Sequence, residues 1–374
     1  MAHHGARVVL RVVMSDRRHR HGSRGVRDVS QWRGTLVRRG WMTSVAAVDL
    51  GTSRIRVWHP TRGPVLDEPS LVALDEDRGH ACAIGTTAKN MIGRVPDGVS
   101  VRRAVEGGRV TDFEAARMLA QHAMDRLGLS RRARHPTVVT AVPVDCSRMQ
   151  IRALEQALLQ VGAAQVVVVP TPVAAVAGGA LPAGDGAGGL LVDIGAGTAD
   201  LAVFARGRMV DALSAPIGGD VLDQAVAAWI RREHQVAVGP RAAEQLRIDA
   251  GTGLAAATAS PLQARGQHVG SGANRTVYVP AEDLRQACRP VLTQLTDAIR
   301  RLLSRCPGEL RSAIALHGVM LTGGLAHSTW VREQLQAGVD VLVRVADAPD
   351  TRTAEGLAVL SRAPDRALDV AIRA

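Results

Sequence analysis

The feature that most constrains this chain is a pattern that occurs twice. Residues 46–57 read AAVDLGTSRIRV, and residues 190–203 read LLVDIGAGTADLAV. In each, an apolar run ends in Asp-x-Gly, small or hydroxylated residues follow, and a second apolar run returns. An apolar run interrupted by a Gly-containing turn predicts a β-hairpin. The sequence therefore predicts the same hairpin twice, each heading one half of the chain.

The residue types in these two turns suit phosphate and metal binding. Glycine lets backbone N–H groups approach an anion, and Thr or Ser hydroxyls add donors. An Asp does not hold phosphate directly, because both are anions, but it can hold Mg²⁺ that bridges to phosphate. Two such turns facing each other would hold a triphosphate from both sides. Two ordinary hairpins are the alternative, because the pattern is short, and the duplication favours the phosphate interpretation.

Other phosphate-binding motifs are missing from the sequence. It has no G-x-x-x-x-G-K-[ST], and no G-x-G-x-x-G follows a predicted strand. Any phosphate site in this chain therefore depends on the duplicated turns.

Apolar periodicity predicts an α/β fold, because short apolar runs alternate with helical patterns. Strands are predicted over 45–49, 55–58, 137–142, 166–169, 190–193, 201–204 and 319–321, and helices over 112–127, 147–161, 220–232 and 281–303. Pro290 is expected to bend or break the last helix. Residues 183–189 form a candidate hinge, and residues 251–274 are expected to be a loop or a small inserted subdomain.

The net charge of +11 is concentrated at the N-terminus. Residues 1–41 hold ten Arg against Asp16 and Asp28, so the rest of the chain carries only +3. The folded body is therefore not expected to bind nucleic acid. Residues 1–43 are interpreted as a basic, disordered extension or as the product of a start placed before Met42. The functional alternative is that this segment contacts anionic lipid or nucleic acid through its charge.

Four widely separated cysteines indicate a reducing cytoplasm rather than a disulfide framework. No apolar run approaches the roughly 20 residues that span a bilayer. The expected location is therefore cytoplasmic.

The duplicated turns resemble those of the actin, DnaK-chaperone and sugar-kinase superfamily, and the likeness is greatest to the bacterial actin MreB family. It extends in order through LDEPSLVAL (66–74), AIGTTAKNMIGRVPDGV (83–99), GGRVTDFEAARML (107–119), APIGGDVLDQAV (215–226), AAEQLRIDAG (242–251), VMLTGGL (319–325) and DAPDTRTAEG (347–356). The resemblance implies an α/β, actin-like ATPase fold with two lobes, each a ribonuclease-H-like core plus a small subdomain. Lobe I would comprise 44–185 with 345–374 returning to it, and lobe II 186–344.

The resemblance also implies ATP and Mg²⁺ in the cleft between the lobes. It assigns binding roles to the first phosphate turn (Asp49, Gly51, Thr52, Ser53, with Arg54 beside it), the second phosphate turn (Asp193, Gly195, Ala196, Gly197, Thr198), a helix-opening loop (Gly218, Gly219, Asp220), the ribose and base stretch (Glu244, Arg247) and the adenosine turn (Gly323, Gly324). Asp49 and Asp193 would hold the metal. For Glu244 and Arg247 the alternative is an exposed pair three residues apart on one helix.

Two departures from the family lie in the turns themselves. Arg54 stands where MreB proteins have Asn and is more like FtsA; its side chain either reaches a phosphate or points to solvent. Ala196 stands where the family has Gly, and its Cβ either narrows the approach of phosphate or is harmless, depending on the backbone φ.

The third departure concerns catalysis. The family's E-E-P-x-A-A-A motif, whose second Glu polarises the attacking water, corresponds here to VVVPTPVAAVAGG, with Thr171 at the Glu position. A hydroxyl has no useful basicity near neutral pH, and loss of a general base costs typically about 10²–10⁴-fold in rate. Thr198 and Asp193 remain. We therefore expect nucleotide binding with weak or absent hydrolysis, at most a slow ATPase.

Two functions follow from the resemblance. The first is a filament-forming, ATP-binding cytoskeletal protein that acts in cell shape and cell-wall synthesis, with cell-wall or division machinery and the inner face of the cell membrane as further partners. The second is a nucleotide-stabilised regulatory scaffold that does not polymerise, or an FtsA-like division protein. A chaperone is disfavoured because no long substrate domain follows the two halves, and a sugar kinase because no sugar-binding segment is evident.

Overall fold

A computed structural model describes residues 45–59, 61–128, 136–181, 188–251 and 260–362. Several sequence predictions lie outside these ranges. They are the basic extension with Met42, most of the candidate hinge, the first part of 251–274 and the last twelve residues of the returning C-terminal segment.

An N-terminal sheet carries the first duplicated turn. Its strands, in the spatial order β10-β9-β1-β2-β3, are Gln165–Pro170, Thr137–Val142, Val45–Leu50, Arg54–His59 and Gly63–Pro69. Strand β1 pairs antiparallel with β2 and parallel with β9. The predicted strands at 45–49, 55–58, 137–142 and 166–169 are confirmed, because each is an apolar run that this sheet buries.

A C-terminal sheet carries the second turn and repeats this arrangement. Its strands, in the order β13-β12-β11-β17-β18, are Arg208–Ala215, Ala199–Ala205, Gly189–Ile194, Val319–Thr322 and Val343–Val345. Strand β11 pairs antiparallel with β12 and parallel with β17. The duplicated sequence pattern is thus the central hairpin of two sheets with equivalent topology.

Smaller sheets accompany each large one. The first has β4 (Leu71–Asp75), β5 (His80–Ile84) and β6 (Val99–Arg103); the second has β14 (Val236–Ala237), β15 (Leu262–His268) and β16 (Asn274–Val279); a hairpin joins β7 (Val105–Glu106) and β8 (Arg109–Val110). The prediction of a loop over 251–274 is wrong for its second part, where β15 pairs along its length with β16. The alternative of an inserted subdomain agrees with this sheet.

The helices lie between and around the sheets. They are α1 (Thr86–Met91), α2 (Phe113–Leu127), α3 (Arg148–Gln160), α4 (Thr171–Ala177), α5 (Gly219–His234), α6 (Pro240–Gly251), α7 (Ala281–Arg305), α8 (Gly308–His317), α9 (Thr329–Gly338) and α10 (Arg352–Arg362), with a 3-10 turn at Gly324–His327. Side chains define two predicted starts: Asp112 accepts from the Ala115 N–H, and Ser147 forms a capping box with Gln150.

Helix α7 runs unbroken through Pro290, so the predicted break there is wrong. Pro290 lies on the exposed side, whereas Leu284, Cys288, Leu292 and Leu295 form a buried stripe on the other. An interior Pro costs a helix about 3 kcal/mol. Burial of four such side chains at about 1.5–3 kcal/mol each outweighs that cost.

Three hydrophobic clusters fill the structure. One packs the C-terminal sheet against α5–α9, and a second packs the N-terminal sheet against α2 and α3. The third, which we call the basal core, contains side chains of both large sheets together with α4 and α10, among them Val169, Val173, Leu191, Phe204 and Leu357. The two sheets are therefore joined at their base by a common apolar core. Within the described ranges, no helix is long and apolar enough to cross a membrane.

Candidate functional site

The two duplicated turns have the same internal hydrogen bond. The Gly51 N–H donates to the Arg54 carbonyl at 3.0 Å, and the Gly195 N–H donates to the Thr198 carbonyl at 2.9 Å. Each bond closes a tight turn directly after the strand that ends in Asp-x-Gly. The sequence repeat is therefore a repeat of backbone geometry.

The two turns lie against each other. A Cβ on Gly197 would come 2.6 Å from the Thr52 hydroxyl oxygen and 2.7 Å from the Gly107 Cα, closer than real Cβ contacts. The Gly108 N–H donates to that same Thr52 hydroxyl at 2.9 Å. The turn between β7 and β8 thus contacts both phosphate-type turns, and only a glycine at position 197 permits this approach.

Asp49 and Asp193 end the two central strands and influence each other electrostatically. Burial raises the pKa of Asp49 to about 6; the Arg56 guanidinium opposes this shift, and the Asp193 charge adds to it. Burial also raises the pKa of Asp193, against the Thr322 and Thr353 hydroxyls that each donate to its Oδ2 at 3.1 Å. Asp193 is buried and Asp49 is half-buried, and two carboxylates whose charges repel at such positions form a site that a cation would stabilise.

The donor set at this position fits Mg²⁺ better than a softer metal. Its side-chain atoms are carboxylate and hydroxyl oxygens, which are hard ligands. Across the described part of the chain, no group of three or more His, Cys, Asp or Glu side chains is arranged to hold a metal ion. A metal here would therefore take at most two carboxylates, as Mg²⁺ does when water and phosphate supply its other ligands.

The helix-opening loop is bound to the second turn through its backbone. The Gly219 N–H donates to the Gly195 carbonyl at 3.1 Å, and the Asp220 N–H donates to the Ala196 carbonyl at 2.9 Å. A Cβ on Gly218 would lie 2.3 Å from the Ala196 oxygen. The start of α5 is thus fixed beside the second turn, where the positive end of the helix dipole favours an anion.

The predicted adenosine turn lies close to the end of strand β11. Gly323 has φ +84°, and a Cβ there would lie 2.3 Å from the Ile194 carbonyl oxygen. Its N–H donates to the Pro349 carbonyl at 2.9 Å, and Gly324 opens the 3-10 turn that follows. Glycine is required at 323 for both conformation and space.

Glu244 and Arg247 lie on α6, and each has an ion-pair partner outside that helix. Lys89 Nζ lies 2.9 Å from Glu244 Oε2, and Arg247 Nε lies 2.5 Å from Asp223 Oδ1. Arg247 also approaches the helix-opening loop, because a Cβ on Gly219 would lie 3.4 Å from its Nη2. The arrangement therefore differs from the alternative of one exposed pair on a single helix.

The structure gives Arg54 and Ala196 definite environments. Arg54 turns to the neighbouring strand, where it donates to the Asp67 carboxylate at 2.5 Å and to the Asp67 carbonyl at 2.9 Å. A phosphate contact by Arg54 would require it to leave Asp67, while Ser53 remains exposed at the tip of the turn. Ala196 is outside the set of non-glycine residues with positive φ in the described chain, so its Cβ does not strain the backbone.

Thr171 is the first residue of α4 and follows Pro170, which occupies the N-cap position. It is half-buried, and so is Thr198 in the second turn. A short hydroxyl side chain thus stands where the resemblance calls for a water-activating carboxylate.

Several polar residues near the turns were not predicted. Asp200 stands opposite Asp193 in the β11–β12 register, accepts the Val144 N–H at 3.2 Å, and has its pKa raised to about 7, chiefly by burial. Arg56 pairs with Asp67 and Asp350 beside the first turn. Hairpin register could have indicated both residues, because Arg56 and Asp200 each directly oppose a turn aspartate across a hairpin.

Comparison with known proteins agrees with this geometry. Residues 43–368 match the protein family described as MreB/Mbl protein. The chain belongs to the MreB/Mbl family. It is 31% identical over 323 residues to the cell shape-determining protein MreB of Escherichia coli K12, covering 85% of this chain and 93% of that protein. It is 30% identical over 313 residues to the cell shape-determining protein Mbl of Bacillus subtilis, covering 84% and 94%.

Solved structures of other proteins show the same fold. MreB5 of Spiroplasma citri bound to ADP superposes with a TM-score of 0.81 at 24% identity, over 87% of this chain and 98% of that one. A MamK double helical filament gives a TM-score of 0.69 at 20% identity, over 84% and 98%. The predicted actin-like α/β fold is therefore confirmed.

Proposed function

We propose that this MreB/Mbl protein binds ATP with Mg²⁺ between its duplicated turns and assembles into cytoskeletal filaments that act in cell shape and cell-wall synthesis. The observation that carries the proposal is the meeting of the two turns, with Thr52 against Gly197 and with Asp49 and Asp193 coupled electrostatically. Relatives named cell shape-determining proteins, an MreB5 crystallised with ADP or AMPPNP, and a MamK filament support it.

In this proposal each turn has a defined role. Gly51 and Gly195, whose N–H groups close the two turns, shape the backbone so that the Gly197 N–H and the Thr52 and Ser53 hydroxyls can bind the phosphates. Asp49 and Asp193 hold Mg²⁺, which supplies charge neutralisation for the phosphates when bound.

The nucleoside lies toward the C-terminal lobe in this proposal. Gly219 and Asp220 at the start of α5, Glu244 and Arg247 on α6, and the Gly323–Gly324 turn would bind the ribose and base. Support comes from the backbone hydrogen bonds that fix the start of α5 to the second turn.

Hydrolysis is proposed to be weak or absent because Thr171 cannot accept a proton from water near neutral pH. Thr198 can orient water, and Asp193 compensates only partly because its proposed role is to hold the metal. Binding without turnover would give persistent filaments.

The proposed location is the cytoplasm, with attachment at the inner face of the cell membrane and contact with cell-wall or division machinery. We propose no nucleic acid partner for the folded body, since most of the positive charge lies in residues 1–41. Self-association has the stronger support, because a relative of the same fold forms a double helical filament.

Thr171 also favours a second candidate function, a nucleotide-stabilised regulatory scaffold that does not polymerise. An FtsA-like division role rests on Arg54, which the structure pairs with Asp67 rather than directing it to the second turn. Sedimentation and electron microscopy with and without Mg²⁺-ATP separate the candidates. Filaments favour the cytoskeletal function, and nucleotide binding without assembly favours the scaffold.

The direct test of the site is equilibrium binding of ATP and ADP with and without Mg²⁺. Wild type should bind both nucleotides, and Asp49→Asn should weaken the Mg²⁺-dependent part of the affinity. Asp297→Asn, on a surface of α7 far from the turns in sequence, is the matched control. Absence of nucleotide binding by the wild-type chain would overturn the proposal.

A further inference from the structure

Two ion pairs connect the two halves of the protein at the mouth of the proposed nucleotide cleft. Lys89 on α1 pairs with Glu244 on α6 at 2.9 Å, and Arg103 at the end of β6 pairs with Asp220 on α5 at 2.8 Å. The partners are 155 and 117 residues apart in sequence. The first pair therefore joins helix α1, and the second the small sheet, of the N-terminal half to a helix of the C-terminal half.

Charge rather than apolar packing holds these elements together. None of the three hydrophobic clusters includes buried residues of both α1 and α6, whereas the basal core joins the two large sheets. An open surface pocket is lined on one side by Ile92 and Gly93, directly after α1, and on the other by the 239–242 segment at the start of α6 and by Gln245. The two large sheets are thus joined by apolar packing, whereas the described contacts between α1 and α6 and between β6 and α5 are ion pairs.

The acidic partners in both pairs are residues proposed to bind the nucleoside. Glu244 and Asp220 each use one carboxylate oxygen in the ion pair, so a ribose or base bound by these residues would share the carboxylate with Lys89 or Arg103 and weaken the pair. Lys89 is, moreover, the only lysine in a chain with 46 basic Lys and Arg residues.

We propose that Lys89–Glu244 and Arg103–Asp220 form a latch that holds the mouth of the cleft closed and sets the rate at which nucleotide enters and leaves. This inference rests on the proposed nucleotide site and adds its regulation. All four side chains are about one-third exposed, so each pair shifts an open–closed equilibrium by roughly one- to fivefold. Because neither pair includes a residue of the basal core, ligand binding can open the latch without disturbing that core.

The test measures association and dissociation rates of a fluorescent ATP analogue with Mg²⁺ by stopped flow. Lys89→Met keeps the length of the side chain and removes its charge, so both rates should rise about twofold to fivefold. Lys89→Arg should restore rates near those of wild type. Arg117→Met, which breaks a pair with Glu114 within α2, is the matched control and should leave both rates unchanged.

Salt gives a test that needs no substitution. Raising KCl from about 0.05 to about 0.5 M screens partly exposed pairs, so exchange by wild type should accelerate more than exchange by Lys89→Met. Reductive methylation with a ¹³C label adds a second observation, because it keeps the ammonium charge and marks one lysine per chain. The Lys89 signal should move when the ATP analogue binds.

The outcomes separate the latch from the proposed function. Lys89→Met rates equal to wild type, with binding intact, would overturn the latch alone. A lower association rate with a higher dissociation rate would also overturn it, because that result makes Lys89 a direct nucleotide ligand. If the wild-type chain binds no nucleotide, the proposed function is overturned, and the latch with it.

Discussion

Gly197 and Thr52 approach each other so closely that a Cβ on the glycine would lie 2.6 Å from the threonine hydroxyl oxygen. They belong to different turns, 145 residues apart in sequence, and the Gly107 backbone lies against the same point. The proposed phosphate site thus depends on the absence of one side chain at position 197.

Gly197→Ala should therefore push the two turns apart and weaken nucleotide binding. Overpacking of this kind costs about 1–3 kcal/mol, which is roughly a 5- to 150-fold loss of affinity if it falls on the bound state. Isothermal titration with ADP and Mg²⁺ measures it. Gly308→Ala is the control, because a Cβ at that exposed position meets nothing within 4 Å. Equal affinities in the two variants would show that the turns separate freely.

Thr171→Glu should increase ATP hydrolysis, because it places a carboxylate at the start of α4 where the family has its water-activating Glu. A general base contributes typically about 10²–10⁴-fold, so an increase of at least tenfold in steady-state phosphate release is expected. Thr171→Gln is the matched control, since it has nearly the same shape and cannot accept a proton. If Thr171→Glu hydrolyses ATP no faster than wild type, the absence of a carboxylate at position 171 is not the cause of slow turnover.

The sequence predicted the parts of the fold that depend on local pattern. Strands such as Thr137–Val142 and the helix that follows Asp112 were predicted because apolar periodicity and caps are encoded within a few residues. The duplicated hairpins were predicted for the same reason. Asp200 could have been predicted as well, since hairpin register places it opposite Asp193.

The contacts that complete the site could not be predicted in this way. Thr322 and Thr353 donate to Asp193 from 129 and 160 residues away, and Lys89 reaches Glu244 across 155 residues. Such pairs exist only after the sheets have packed, so no local pattern encodes them. The two-residue strands β7 and β8, whose turn contacts Thr52, are likewise too short to show periodicity.

Gly356→Ala should destabilise the packing of α4 against α10, two helices of the basal core that joins the two large sheets. Helices α4 and α10 pack so closely that a Cβ on Gly356 would lie 1.6 Å from the Ala174 carbonyl oxygen and 2.8 Å from the Gly178 nitrogen. These neighbours are backbone atoms and cannot rotate away, so the cost should be at the upper end of the range for overpacking, about 3 kcal/mol. Urea unfolding measures it, with Gly308→Ala as control. A loss below about 1 kcal/mol would mean that the helices shift apart easily.

The buried Asp200 should make the unliganded protein less stable as pH rises. Burial raises its pKa from 3.8 to about 7, so between these values the folded state binds the extra proton. The stabilisation is fully present below pH about 4 and is lost as pH rises through about 7. A pKa shift of this size changes the free energy of unfolding by at most about 4 kcal/mol. Asp200→Asn should remove this part of the pH dependence of the unfolding free energy. A smaller decline with rising pH should remain, because the pKa of Asp49 is also raised, to about 6.

Urea unfolding of wild type and Asp200→Asn at several pH values between about 4 and 8, without nucleotide or Mg²⁺, isolates the Asp200 component as a difference between the two curves. The difference should change steadily across the window, because only the wild type must ionise a buried carboxyl. Asp297→Asn alters the same side-chain type on the surface of α7 and should give a curve parallel to wild type. Parallel curves for wild type and Asp200→Asn would show that the Asp200 carboxyl is hydrated in the folded protein.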